Sequence, residues 1–172
     1  MGSGSKGPYG SSSGSGSQPY APTYHVVKDM MEADKKDPDI YDPTKGYFKN
    51  PLAATVQDVI NNGKIQMNGH SANGTYTYVL TESGDIVFAK RFNPNNSHGR
   101  SPHPTLIGGK DPQVVCAGMI HMEKGCIVWY NNDSGHFRPN VKSLDAVDKA
   151  MTDLKKSHPE IFAKNYEGGR KR

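Results

Sequence analysis

From Lys64 onward the chain is cut by turn signals at short intervals, and this limits its possible folds more than any other feature. Asn68-Gly69, Asn73-Gly74, Glu82-Ser83-Gly84-Asp85 and Glu123-Lys124-Gly125 separate short apolar runs. Glycine adopts positive φ without steric cost and Asn or Asp tolerates it, so such pairs close hairpins. The runs between them are Lys64 to Asn68, Thr75 to Leu80, Ile86 to Phe92, Gln113 to Met122 and Cys126 to Asn131. Their period is 2, which reads as an antiparallel meander of four to five strands. A polar loop from Asn93 to Pro112 interrupts the sheet. Loops of this length inside a compact domain are commonly functional.

Before Lys64 the period is 3.6. Tyr24 to Lys36 reads as a short helix with Val26, Val27, Met30 and Met31 on one side, and Asp37 to Lys49 as an irregular crossing. Asn50-Pro51 then offers an N-cap and a first-turn proline. Leu52, Val56, Val59 and Ile60 follow at helical spacing, and Asn62-Gly63 is a stop signal. A last helix opens near Ser143, turns Leu144, Val147, Met151 and Leu154 inward, and stops before His158-Pro159. The expected fold is α+β: N-terminal helices, then a four- to five-stranded antiparallel meander sheet, then a C-terminal helix. Residues 1–23 are Gly/Ser-rich and read as a flexible linker, with a single α+β domain over 24–172.

Composition narrows the partners. The formal charge is +4 and the isoelectric point about 9.0, which favours polyanions. No apolar run approaches the ~18–20 residues of a membrane span, so no membrane partner is expected. The N-terminus lacks a charged start followed by an apolar stretch, so export would need another segment or a dedicated machine. Cys116 and Cys126 do not fall opposite each other in the expected hairpin and read as buried thiols rather than a disulfide.

The chemistry gathers at two places. Ser134-Gly135-His136-Phe137-Arg138-Pro139 follows the strand Cys126 to Tyr130 and puts a proton carrier and a fixed cation on one rim. Upstream lies Ser101-Pro102-His103-Pro104-Thr105. In a meander, the long loop and this rim approach each other. His103, His136, Arg138 and Ser134 would then form a catalytic group, with Thr105, Lys90, Arg91 and Lys110 binding substrate. Two imidazoles and a guanidinium are sufficient for metal-independent RNA cleavage: one His takes the 2′-hydroxyl proton, the other protonates the leaving oxygen, and Arg steadies the charge on phosphorus. No metal and no cofactor are expected for that reaction. His98-x4-His103 has no nearby carboxylate cluster and reads as no metal site, with His98 a bystander. His121-Met122-Glu123 lacks the later cysteine pair of zinc deaminases. Gly108-Gly109-Lys110 is only weakly similar to a phosphate-binding loop.

The segments His103-Pro104-Thr105-Leu106-Ile107-Gly108, Val114-Val115-Cys116-Ala117-Gly118 and Ser134 to Pro139 occur in an order that resembles a known module. It is found in C-terminal toxin domains of bacterial polymorphic toxins, delivered between competing cells, and in plant IQM proteins. Pro104-Thr105 stands where the module usually has Ser-Ser. The resemblance implies an interbacterial toxin effector, secreted or delivered by a specialised system, acting in the target-cell cytoplasm and neutralised by a cognate immunity protein. Three activities follow as expectations. The first is a ribonuclease acting on RNA. The second is an NAD-dependent ADP-ribosyltransferase, for which Glu82 and Glu123 are the candidate acids, both in turns. The third is a non-catalytic interaction module.

Overall fold

The computed structural model describes residues 17–95 and 99–170. His98, residues 1–16 of the expected linker, and Lys171 and Arg172 lie outside the described residues. The chain begins with β1 (Tyr24–His25), helix α1 (Lys28–Asp34) and the antiparallel pair β2 (Tyr41–Asp42) and β3 (Gly46–Tyr47). β4 (Ala54–Thr55) runs into a 3-10 turn at Val56–Val59. β5 (Ile60–Asn61), β6 (Lys64–Met67) and β7 (His70–Ser71) follow as a small ribbon. β8 (Gly74–Leu80) and β9 (Ile86–Ala89) form a hairpin, and β10 (Gln113–Val114) pairs with β1. β11 (Cys116–Glu123) and β12 (Cys126–Asn131) form a second hairpin. Helix α2 (Leu144–Ser157) and β13 (Gly168–Arg170) come last.

Six strands share one sheet in the order β13-β12-β11-β8-β9-β4, antiparallel except for the parallel pair β12–β13. This overturns the expected architecture. The described chain is mostly sheet, with two α-helices, and α1 is the only one in its N-terminal part. The central strands are not a simple meander either. β11 lies against β8, from Cys116↔Leu80 to Met122↔Gly74, and not beside β9. The long polar stretch after β9 lets the chain return past β8 to its free edge, because loop-closure entropy grows only slowly with length.

The helix expected over Leu52 to Ile60 does not form. Thr55, Val56, Val59 and Ile60 are β-branched and lose χ1 freedom in a helix. Ala54 and Thr55 instead pair with Phe88 and Val87 at the sheet edge. Asn62-Gly63 is not a helix stop. Its φ values, 54° and 72°, are those of a type I′ turn joining Asn61 to Lys64. Asn68-Gly69 and Lys124-Gly125 close β6–β7 and β11–β12 with the same pair of positive φ values. Asn50 makes no helix cap. Its side chain accepts from Leu52 N and donates to the Phe92 carbonyl and Ser101 Oγ, tying three loop segments together.

Alternation along the strands divides the core between the two faces. Tyr78, Leu80, Phe88, Cys116, Ile120 and Tyr130 meet Leu144, Val147, Met151 and Leu154 of α2. Val79, Ala89 and Ala117 meet Tyr24, Ile40, Tyr47, Leu106 and Phe137 from the irregular N-terminal layer and the loops. Both cysteines are free and buried.

Gly118 sets where β12 leaves β11. A Cβ there would lie 2.1 Å from the carbonyl oxygen of Asn131. The Asn131 side chain takes over the ladder at this point, accepting from Met119 N at 2.9 Å and Asp133 N at 3.0 Å, while Tyr78 Oη donates to its carbonyl at 2.7 Å. Gly118→Ala should therefore cost at least about 3 kcal/mol, because backbone must move. Gly69→Ala meets nothing within 4 Å and should cost only the ~1–2 kcal/mol of a positive φ. Urea titrations of both variants check the contrast.

Candidate functional site

Of the polar residues singled out from the sequence, His103 and Ser134 meet, where the 3-10 turn His103–Leu106 packs beside the end of β12; the expected direct grouping with His136 and Arg138 does not form. His103 Nε2 lies 2.8 Å from the Gly118 carbonyl. A carbonyl only accepts, so Nε2 carries the hydrogen and Nδ1 is left as an acceptor. Ser134 Oγ is 3.2 Å from Nδ1 and donates to it, while accepting from Phe137 N at 3.2 Å. One imidazole thereby joins three separate segments. It is 2% exposed. Burial pushes its pKa from 6.5 down to about 3; the Gly118 hydrogen bond opposes this, and the charges of Arg91 and His136 add to it.

His136 is also buried, and its Nε2 lies 2.9 Å from Asp34 Oδ2. Asp34 comes from the last residue of α1, 102 positions away, and is 2% exposed. The same carboxylate oxygen accepts from Tyr47 Oη at 2.6 Å, and Arg100 approaches its other oxygen at 3.9 Å. Burial and the Asp34 carboxylate push the Tyr47 phenol far above its ordinary value, so it remains a donor. Val27 N donates to the His136 carbonyl, and Gln18 N donates to that of Arg138. The N-terminal segment therefore lies directly over the Ser134 to Pro139 run.

The other expected residues are distributed as follows. Arg138 has φ 45°, and its guanidinium turns back to donate to the Gly135 carbonyl and face Asp29 at 3.8 Å. Thr105 Oγ1 is buried and bonds the Pro102 carbonyl at 2.6 Å and Ser101 Oγ at 2.9 Å. Lys90, Arg91 and Lys110 are exposed. Of the two acids considered for NAD chemistry, Glu82 lines an open cleft beside α2, and Glu123 lies 3.0 Å from His121 at the β11–β12 turn. His121 also contacts Thr75 Oγ1 at 2.8 Å and stacks on Trp129, whose ring is approached by Arg170 at 4.3 Å. This ladder fastens β13 to the sheet. Among the described residues no group of three or more His, Cys, Asp or Glu is placed to hold a metal ion, and no helix is long and apolar enough to cross a membrane.

Asp34, Tyr47 and Asn131 belong to this site and carry no local signal of it. Asp34 sits in an ordinary run of charged residues, and only tertiary contact makes it the partner of His136. No family model matches the chain, and comparison with curated proteins and solved structures likewise gives no match.

Two measurements follow from this geometry. His103 has a folded-state pKa below its unfolded one, so unfolding takes up a proton below about pH 6.5. Its contribution to stability is whole above that pH and is lost as pH falls toward 3, at about 1.4 kcal/mol per pH unit. Denaturant titrations across this range should show the slope reduced in His103→Gln. His136→Ala leaves Asp34 buried without its imidazole and should lower stability by roughly 2–4 kcal/mol, where a histidine on an open rim would cost almost nothing.

Proposed function

We propose that this chain is a toxin-type effector domain that acts by binding, with the His103–Ser134–His136 locus holding its recognition loops in shape. The observation that supports this reading is the His103 imidazole. Both its nitrogens are engaged, it is closed from solvent, and its pKa lies near 3. A ring so hard to protonate is a weak base and holds no imidazolium proton to give at neutral pH, whereas general acid–base work favours a pKa near the operating pH. The three segments that resemble the toxin module converge on this ring, which supports treating them as one functional unit. A cognate immunity protein, delivery by a specialised secretion system and action in the target-cell cytoplasm belong to the same proposal. A net charge of +4 favours an acidic immunity partner.

A metal-independent ribonuclease is the second reading, and one observation favours it. After burial, Arg91 and then His136 also depress the His103 pKa, so a guanidinium and a second imidazole lie within electrostatic reach of this ring. Catalysis would require the loop carrying His103 to open.

Incubating the purified domain with total RNA, with and without EDTA and NAD, separates the readings. Binding alone predicts intact RNA and no NAD consumption, together with growth inhibition on expression that a neighbouring gene product relieves. RNA fragments that persist in EDTA, and disappear in a His103→Gln variant shown to be folded, would establish the ribonuclease instead. Consumption of NAD would establish a transferase.

A further inference from the structure

A set of exposed cations and aromatic rings surrounds the point where three chain segments meet at Asn50. The Asn50 side chain donates to the Phe92 carbonyl at 3.0 Å, which brings Lys49 beside the sequence Lys90-Arg91-Phe92. On its other side Lys49 packs on Gly108, where an added Cβ would lie 3.1 Å from the Lys49 Cβ. Gly109 bridges to Tyr47, and the backbone nitrogen of Lys110 lies against Gly46. Lys49, Lys90, Arg91 and Lys110 are all exposed. Among the described residues none of these four takes part in an ion pair. Of the carboxylates nearby, Asp34 and Asp37 face Arg100, Asp111 bonds His25, and Asp42, opposite Gly46, accepts from Thr44 N and Lys45 N.

Phe48 and Phe92, at 38% and 49% exposure, are the chain neighbours of Lys49 and Arg91, and the Phe92 ring lies beside Gly99. Half-exposed phenyl rings next to cations that form no ion pair among the described residues fit a ligand that presents both anionic groups and flat apolar faces. Single-stranded nucleic acid is such a ligand, because its phosphates follow a basic track and its unpaired bases stack on aromatic rings. An acidic protein would also complement the cations, but each base of a single strand brings a flat face in regular alternation with a phosphate. Duplex would offer phosphates but keep its bases stacked inside.

We propose that Lys49, Lys90, Arg91 and Lys110, with Phe48 and Phe92, form a binding surface for single-stranded nucleic acid. This goes beyond the reading above and holds whether or not the strand is cleaved.

Fluorescence anisotropy on the full chain tests it, with a labelled oligouridylate of about twelve nucleotides, within the range one small domain covers. A deoxy strand of matched length, a duplex and a polyglutamate peptide serve as competitors. Single strands should bind with an affinity that falls with salt. Lys49→Gln and Arg91→Gln should each reduce the log–log salt slope by about 0.7. Phe92→Ala should weaken binding roughly 5- to 100-fold without changing that slope or the melting temperature, because the ring is half exposed. Stronger competition by RNA than by DNA would assign RNA as the source, and equal competition would assign the chemistry they share; both support the proposal. Absence of binding overturns it, as does tighter binding of duplex or of polyglutamate. Unchanged affinity in Phe92→Ala also overturns it, by leaving only nonspecific attraction to polyanions.

Discussion

The approach of the Asn131 backbone to Gly118 governs the rest of this structure. With no side chain on Gly118, the carbonyl of Asn131 reaches a place that any Cβ would occupy. β12 departs from its ladder at that point, and the Asn131 amide oxygen replaces the lost partner by accepting two backbone N–H groups. The Gly118 carbonyl is then free to take the His103 Nε2 hydrogen, and the chain after β12 turns so that Ser134 meets the same imidazole. A bulkier residue at 118 would move β12, and the loop carrying Ser134 and His136 would move with it.

Burial decides what this histidine can do. Moving an imidazolium out of water is costly, and no carboxylate among the described residues contacts His103 to offset that cost, so the ring stays neutral and both nitrogens are used in hydrogen bonds. His136 has a different solution, a direct contact with a buried carboxylate that also holds a phenol and faces a guanidinium. Such networks are strong when complete and costly when one member is removed. Lys49, Lys90, Arg91 and Lys110, by contrast, remain open to solvent outside this buried network.

Hairpin turns were legible in the sequence, whereas the strand order and the outer strands β4 and β13 were not. The turn pairs Asn68-Gly69 and Lys124-Gly125 lie where hairpins close, and α2 buries the four residues its spacing predicts. Asn62-Gly63 was legible as a boundary but not as a hairpin, because an Asn-Gly pair ends a helix or joins two strands with the same local chemistry. Leu52, Val56, Val59 and Ile60 have helical spacing, yet Val56 reaches the core from a 3-10 turn and Ala54-Thr55 is recruited to the sheet edge. At the site, His103, Thr105, Ser134 and His136 were recognisable by residue type, and His103 does meet Ser134. Their burial was not legible, since exposure of a loop depends on what packs over it.

The sequence by itself determined the local events: positive φ at the glycine turns, the apolar face of α2, and the alternation that divides each strand between two core layers. These depend on neighbours a few residues away, and the chain carries that information directly. Tertiary structure alone decided that β11 lies beside β8, that Asp34 meets His136, and that Asn131 closes on Gly118. Those contacts join residues far apart in the chain, and they form only when the desolvation and loop-closure costs of the whole arrangement are met together.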